Sequence, residues 1–288
     1  MMDKNVSVAL ATYNGMAYIE SQLNSILNQT LSPKEIIIVD DCSQDGTYEF
    51  LNEFAKKYPL IRLYRNEKNL GPIETFKNAI SLCQYEYIAL SDQDDIWFAN
   101  KIETQLKVIE SDITKPLLVF HDLSLIDENG QSVFPSFWEL QRFRPQRFTF
   151  KKLLSSNIIT GCTCLINKAM KDELMRCDME DIIMHDHLVA LIGYGFGSVI
   201  FIDKPLIYYR SHPESVTSKV KITIYSRARN FVYKVFDKNY LQSYIKQIES
   251  FYYVYGNELN TSKLNLVKKF ISLKKRNSVY RFIFNKFY

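Results

Sequence analysis

The chain has 288 residues, 47% of them apolar and 24% charged, a balance that supports a sizeable folded core and excludes intrinsic disorder. No apolar run approaches the roughly 18 residues of a spanning helix, and the opening MMDKNVSVALATYN carries no signal-peptide pattern, so neither a span nor a leader is expected. The net charge of +4 conceals a split, with 15 basic and 3 acidic residues from Lys219 onward against 21 basic and 29 acidic before it, so the tail is a separate electrostatic object.

Val6–Ala11, Glu35–Asp40, Ile61–Arg65 and Tyr85–Leu90 are short runs rich in β-branched and aromatic residues, the pattern of buried parallel strands. Between them, Ala17–Asn28 places Ile19, Leu23, Ile26 and Leu27 at helical spacing. Thr47–Lys57 does the same with Tyr48, Leu51, Phe54 and Ala55, and Pro72–Leu82 begins with proline in its first turn. Repeated βαβ units predict an α/β fold, a mainly parallel sheet flanked by helices. A helix is expected over Ala99–Glu110, then strands over Leu117–Asp122 and Gly161–Asn167. A loop-rich stretch with Pro135 and Pro145 separates those two strands and suits a lid or acceptor wall. Asp186–Ile192 reads as a helix, and Val199–Ile202 and Leu206–Arg210 as strands leading into Ser211-His212-Pro213. The expected organisation is a main domain over 1–218, divided at 110 into two halves, and a helical, basic and aromatic extension over 219–288.

Five cysteines, Cys42, Cys83, Cys162, Cys164 and Cys177, are odd in number and lack framework spacing, which argues against a disulfide scaffold and for a reducing, cytoplasmic setting. Cys162 and Cys164 have no second pair with which to build a zinc site.

In an open α/β sheet, ligands sit beyond the carboxyl ends of the strands. Those ends are polar here in every case: Thr12-Tyr13-Asn14, then Asp40 to Thr47, then Asn66 to Gly71, then Ser91-Asp92-Gln93-Asp94-Asp95. A helix start accounts for Ser43, Asp45 and Gly46, while Asp41 could accept a hydrogen bond from a nucleobase. Asp92, Asp94 and Asp95 put three carboxylates into four positions, which repel one another unless a cation or donors compensate them. Mg2+ or Mn2+, held by one or two carboxylates, water and substrate phosphates, suits such a loop. An EF-hand does not fit, because no glycine stands at the sixth position counted from Asp92 or from Asp94. Neither G-x-G-x-x-G after the first strand nor a P-loop occurs, so phosphate is expected to be held by metal and not by a glycine cradle.

VSVALATYNG, ILNQT, IIIVDDCSQDGT, NLG and SDQDDIW, in that order and spacing, resemble the nucleotide-binding half of family 2 glycosyltransferases over residues 6–110. The DQDDIW form, with Gly161-Cys162-Thr163 and Tyr209-Arg210-Ser211-His212 downstream, is most similar to their bacterial rhamnosyltransferase-like branch. The resemblance implies a GT-A fold with a Rossmann-like half, a nucleoside-diphosphate sugar donor, and a glycan or lipid-linked saccharide acceptor. It implies that Thr12, Tyr13 and Asp41 contact base and ribose, that Asn69 and Gly71 border the nucleotide, and that Asp92 approaches the ribose. Asp94 and His212 would bind the metal and Asp95 would support the loop or the sugar, with Asn14, Ser91 and Gln93 counted in the donor-binding set. In Met184-His185-Asp186-His187 it places the general base at Asp186, His185 departing from the acidic residue common at that position. A helix start is the other account of Asp186. His185 and His187, at i and i+2, do not share a helical face, which argues against a hydrolytic metal pair.

In the extension, Leu264, Val267, Phe270 and Ile271 recur at helical spacing among Lys268, Lys269, Lys275 and Arg276, a pattern that suits either a helix on an anionic membrane surface or one docked on the domain. Nucleic-acid binding lacks a motif. A sugar nucleotidyltransferase would want a glycine- and lysine-rich loop where Thr12 to Tyr18 stand, and a non-catalytic assembly protein would not need the carboxylates at Asp92, Asp94 and Asp186.

Overall fold

A computed structural model describes residues 4–109, 114–211 and 238–275. Its first half alternates as expected: β1 (Val6–Thr12), α1 (Ile19–Leu27), β2 (Glu35–Asp40), α2 (Thr47–Lys57), β3 (Ile61–Arg65), α3 (Pro72–Leu82) and β4 (Tyr87–Ser91), followed by the short β5 (Ile96–Trp97) and α4 (Lys101–Lys107). The second half holds β6 (Leu117–Ile126), β7 (Ser132–Phe134), α5 (Phe137–Gln141), α6 (Phe150–Leu153), β8 (Leu165–Asn167), α7 (Lys168–Arg176), α8 (His185–Phe196) and β9 (Ser198–Arg210). Two further helices, α9 (Lys238–Tyr255) and α10 (Thr261–Ile271), lie in the extension.

The strands form one 9-stranded sheet in the order β3-β2-β1-β4-β8-β6-β9-β5, with β7 paired to β6. β1 to β4 are mutually parallel, β8 runs antiparallel between β4 and β6, and β6 and β9 are parallel along most of their length. The period of two along β1 sends Val6, Val8 and Leu10 into one core and Ala9 into the other. Ile19, Leu23, Leu51, Phe54 and Ile102 cover the first face from α1, α2 and α4. Phe76, Ala79 and Ile80 of α3, with α7, α8, α9 and α10, cover the second.

Two expectations change. Gly161–Asn167 is not one strand: Gly161–Thr163 form a 3-10 turn and only Leu165–Asn167 pair. The chain must turn there to reach β4 in antiparallel register, and Cys162 and Cys164 are buried at that turn. Val199–Ile202 and Leu206–Arg210 join into a single strand with a pairing irregularity where Asp122 meets Pro205, proline having no N–H to give the ladder.

α8 is buried all round from His185 to Gly193, as a helix wedged between two layers must be. A Cβ on Gly193 would meet Val199 at 3.0 Å and Leu118 at 3.4 Å on the sheet side, and one on Gly195 would meet Leu259 at 3.3 Å and Phe251 at 3.4 Å on the side of the extension. The apolar stripe of α10 is spent on this packing, with Val267 and Phe270 fully buried and Leu264 and Ile271 packed against the same core. That face is therefore unavailable to lipid. The basic, aromatic residues 276–288 lie outside the described residues, and among the described residues no helix is long and apolar enough to cross a membrane.

Candidate active site

A cavity of about 410 Å³ opens at the carboxyl ends of β1, β2 and β4 and is closed opposite by the start of α8. Thr12, Tyr13, Asp41, Asn69, Gly71, Asp92, Gln93, Asp94 and Asp186 all line it. Asn14, Ser91 and Asp95 do not, and His212 lies outside the described residues.

Those three are held away by their own hydrogen bonds. Asn14, at φ 49, donates its N–H to Ser43 Oγ at 2.9 Å and accepts from the Gln44 N–H at 2.9 Å, tying the first loop to the second. Ser91 is fully buried, accepting from Gln22 Nε2 at 2.7 Å and donating to the Asp92 carbonyl at 3.0 Å. Asp95, also fully buried, accepts from the Arg210 N–H at 3.3 Å. Gln93 fastens the acidic loop to the first one: its Oε1 accepts from Thr12 Oγ1 at 2.6 Å and from the Tyr13 N–H at 2.8 Å, and its Nε2 donates to the Tyr13 carbonyl at 3.1 Å. A Cβ on Gly15 would come within 2.5 Å of that Oε1.

Asp41 shapes the third loop. One oxygen accepts from Asn66 Nδ2 and the Leu70 N–H, the other from the Gly71 N–H, all at 2.8 Å. Gly71 turns the chain into α3 at φ 82, a conformation open to glycine because it has no Cβ.

Beneath the acidic loop lies a buried polar layer that the sequence did not advertise as part of the site. Burial, then the charges of Asp94 and Asp186, pushes the Asp92 carboxyl up to about 7, and Asp95 is raised for the same first reason and by Asp94 and Asp92. The Cys162 thiol gathers with both carboxylates. Lys101 is fully buried, has no hydrogen-bond partner for its Nζ among the described residues, and stands 3.5 Å from the centroid of the Trp97 ring. Burial lowers its pKa to about 7, partly countered by Cys162, Cys164, Asp95 and Asp92. Arg210 locks the loop from behind, donating Nε to the Asp94 carbonyl at 2.9 Å and Nη1 to the Glu128 carbonyl at 3.0 Å. Carboxylates crowded and desolvated in this way fit a hard cation on their cavity side. Asp92 and Asp94 are the ones that face it, while Asp95 is not part of its lining.

Asp186 sits in the first turn of α8, one residue inside its start, with Met184 at the N-cap position, and the backbone N–H groups of His187 and Asp186 favour its charged form. One carboxylate oxygen accepts from Asn157 Nδ2 at 2.8 Å and the other from the Gly161 N–H at 3.1 Å. Burial outweighs these bonds and holds the carboxyl at about 7, in the range a general base needs. His185 stacks on Phe76 with centroids 4.0 Å apart, lines the cavity, and has no partner for either ring nitrogen among the described residues. Burial keeps it neutral by lowering its pKa to about 4. A Cβ on Gly161 would stand 2.6 Å from its Nε2, so only glycine there leaves room for the ring.

A family model described as Glycosyl transferase family 2 matches residues 7–175, more than half of the chain. The chain belongs to the family 2 glycosyltransferases. It is 30% identical to the dTDP-rhamnosyl transferase RfbG of Shigella flexneri over 215 residues, 70% of this chain and 71% of that one. It is 31% identical to TuaG of Bacillus subtilis, a glycosyltransferase named for teichuronic acid biosynthesis, over 59% of this chain and 64% of that one. Among solved structures, S. aureus TarS in complex with UDP superposes with a TM-score of 0.59 at 17% identity, covering 98% of this chain and 90% of that one. The mannosyltransferase PcManGT of Pyrobaculum calidifontis, solved with GDP-Man and Mn2+, gives 0.53 at 15% identity, covering 98% of this chain and 72% of that one. The glycosyltransferase thus has the GT-A fold expected from its strand order and motifs. Arg210 and Lys101 join its site without having been given a role from the sequence, and His185, noted there only as a departure from an acidic residue, lines the cavity. Tyr-Arg-Ser-His at 209–212 was the available signal for the first, but a lysine in a helix pattern gives no hint that it turns inward.

Proposed function

We propose that this glycosyltransferase is a metal-dependent inverting enzyme that moves a sugar from a nucleoside-diphosphate donor to a hydroxyl of a surface glycan or lipid-linked saccharide. The observation that carries the reading is one cavity lined by Asp92, Asp94 and Asp186 together. Thr12, Tyr13 and the loop pinned by Asp41 would enclose base and ribose, and Asn69 and Gly71 would border them. Asp94 and Asp92 would hold Mg2+ or Mn2+, with His212 as a further ligand. Bound there, the ion would supply positive charge that offsets the negative charge of the diphosphate. Asp186 takes the proton of the acceptor hydroxyl while the hydroxyl oxygen of the acceptor bonds to the anomeric carbon. The bond to the diphosphate breaks on the opposite face, so the configuration inverts. Because the leaving group is already a stable anion, no second carboxylic acid is required, unlike in glycoside hydrolysis.

RfbG favours dTDP-rhamnose as donor and the TarS fold match favours a UDP-sugar. We infer a cytoplasmic enzyme that works at the inner face of the membrane, reaching anionic lipid through its basic C-terminal tail; residues 276–288 of that tail lie outside the described residues. Thermal shift with dTDP-rhamnose, UDP-GlcNAc and GDP-mannose, with and without Mn2+, tests the reading, since a bound ligand raises apparent stability by mass action. One donor should raise the Tm only with metal and release its nucleoside diphosphate when acceptor is added. Binding of none, or equal binding in chelator, overturns it. Co-sedimentation with anionic liposomes of the full chain against a chain ending at 275 tests the membrane assignment, and equal binding refutes it.

A further inference from the structure

We propose that α9 is a positioning element for the base, with Gln247 and Tyr244 holding the two loops that orient Asp186. The inference rests on Asp186 being the base. Gln247 is fully buried and bridges two segments: its Oε1 accepts from the Ile183 N–H at 2.9 Å, and its Nε2 lies 2.9 Å from His187 Nδ1. His187 Nε2 in turn lies 2.7 Å from the Leu153 carbonyl. A carbonyl can only accept, so Nε2 carries the proton, Nδ1 accepts, and the amide of Gln247 must donate to it. The chain from Ile183 through Gln247 and His187 to Leu153 therefore admits one arrangement, with each of these bonds made. Burial keeps His187 neutral, with a pKa of about 4, which preserves that arrangement across the working pH range.

The same helix reaches the other loop. The hydroxyl of Tyr244 accepts from the Asn157 N–H at 3.3 Å, and Asn157 Nδ2 is the group that donates to Asp186 at 2.8 Å. The far end of α8 is held by the extension as well, through Lys263 Nζ donating to the Gly195 carbonyl at 2.8 Å. Apolar side chains could fill the same volume at lower desolvation cost. A satisfied polar chain instead specifies one geometry, and it does so beside the group that must meet the acceptor proton within hydrogen-bond reach.

Gln247→Met in the full chain removes both bonds with little change of volume. Displacing a catalytic group by an ångström costs about a hundredfold in rate, so kcat should fall ~10- to 100-fold. The donor KM and the Kd for the nucleoside diphosphate should stay within about twofold, because the hydrogen bonds of Gln247 go to Ile183 and His187 and not to a donor loop. Phe251→Leu, in the same helix and fully buried but outside the polar chain, is the stability control. At a temperature where both variants are folded it should keep near-normal kcat even with a larger loss of Tm. Amide hydrogen exchange gives a readout independent of turnover: Gln247→Met should speed exchange in peptides covering 157–163 and 181–188, and Phe251→Leu should not. Unchanged kcat and exchange in Gln247→Met, or equal loss of kcat in Phe251→Leu, overturns the proposal. If the wild-type chain transfers no sugar yet the exchange pattern appears, the positioning stands and the catalytic reading falls.

Discussion

Replacing Asp186 by asparagine should remove activity and make the protein more stable above neutral pH. In the unfolded chain this carboxyl titrates near 3.8, and in the fold burial holds it at about 7. Between those values the native state binds a proton that the unfolded state has released, so stability is lost as pH rises through the window and the loss is complete above it. The difference is worth about 4 kcal/mol. Asparagine carries no charge and escapes that cost, but its amide NH2 must face either Asn157 Nδ2 or the Gly161 N–H, both of them donors. One conflict of this kind costs about 1–3 kcal/mol. The variant should therefore be less stable than wild type by that amount near pH 4 and more stable by about 1–3 kcal/mol at pH 8, while transfer falls by at least 100-fold. Urea unfolding at the two pH values, read as the change in the difference between the two proteins, reports this residue together with the part of the Asp92 shift that the Asp186 charge causes. A stability difference independent of pH would refute the argument, and undiminished turnover would remove Asp186 from the reaction.

Asp94→Ala should abolish metal-dependent binding of the nucleoside diphosphate while leaving the Tm within a few degrees, and calorimetry with and without Mn2+ separates the two. Gly161→Ala must push His185 off Phe76, since the new methyl would lie 2.6 Å from Nε2. A loss of transfer of tenfold or more with intact nucleotide binding is expected, and unaltered kinetics would show that the ring has room to move. Of the five thiols only Cys42 is not buried, and burial pushes Cys83 up to about 12 and Cys177 up to about 11. A thiol reagent at pH 8 should therefore label one cysteine quickly in the native protein, and two fast sites would contradict the packing.

The donor half was legible because its signals are local. A β-branched run between amphipathic helices can only be a buried parallel strand, and such strands put their carboxyl ends together. Thr12, Asp41 and Asp92 are therefore neighbours as soon as the topology is known. Which polar residues at those ends face the cavity was not legible. Ser91 and Asp92 are adjacent in sequence, and the first bonds to the buried Gln22 while the second lines the cavity. Gly161–Asn167 has a strand's composition, yet the need to reverse against β4 makes half of it a turn.

Alternation, helical spacing and turn residues are properties of short windows, and from them the amino-acid sequence by itself determined an α/β sheet with its polar loops on one edge and an acidic loop among them. Burial, charge compensation and the covering of an apolar stripe depend on segments far apart in the chain. The stripe of α10 suits lipid or protein equally until the surface of α8 and its neighbours covers it, and only tertiary structure brings Gln247 to His187, 60 residues away, or buries Lys101 against the Trp97 ring.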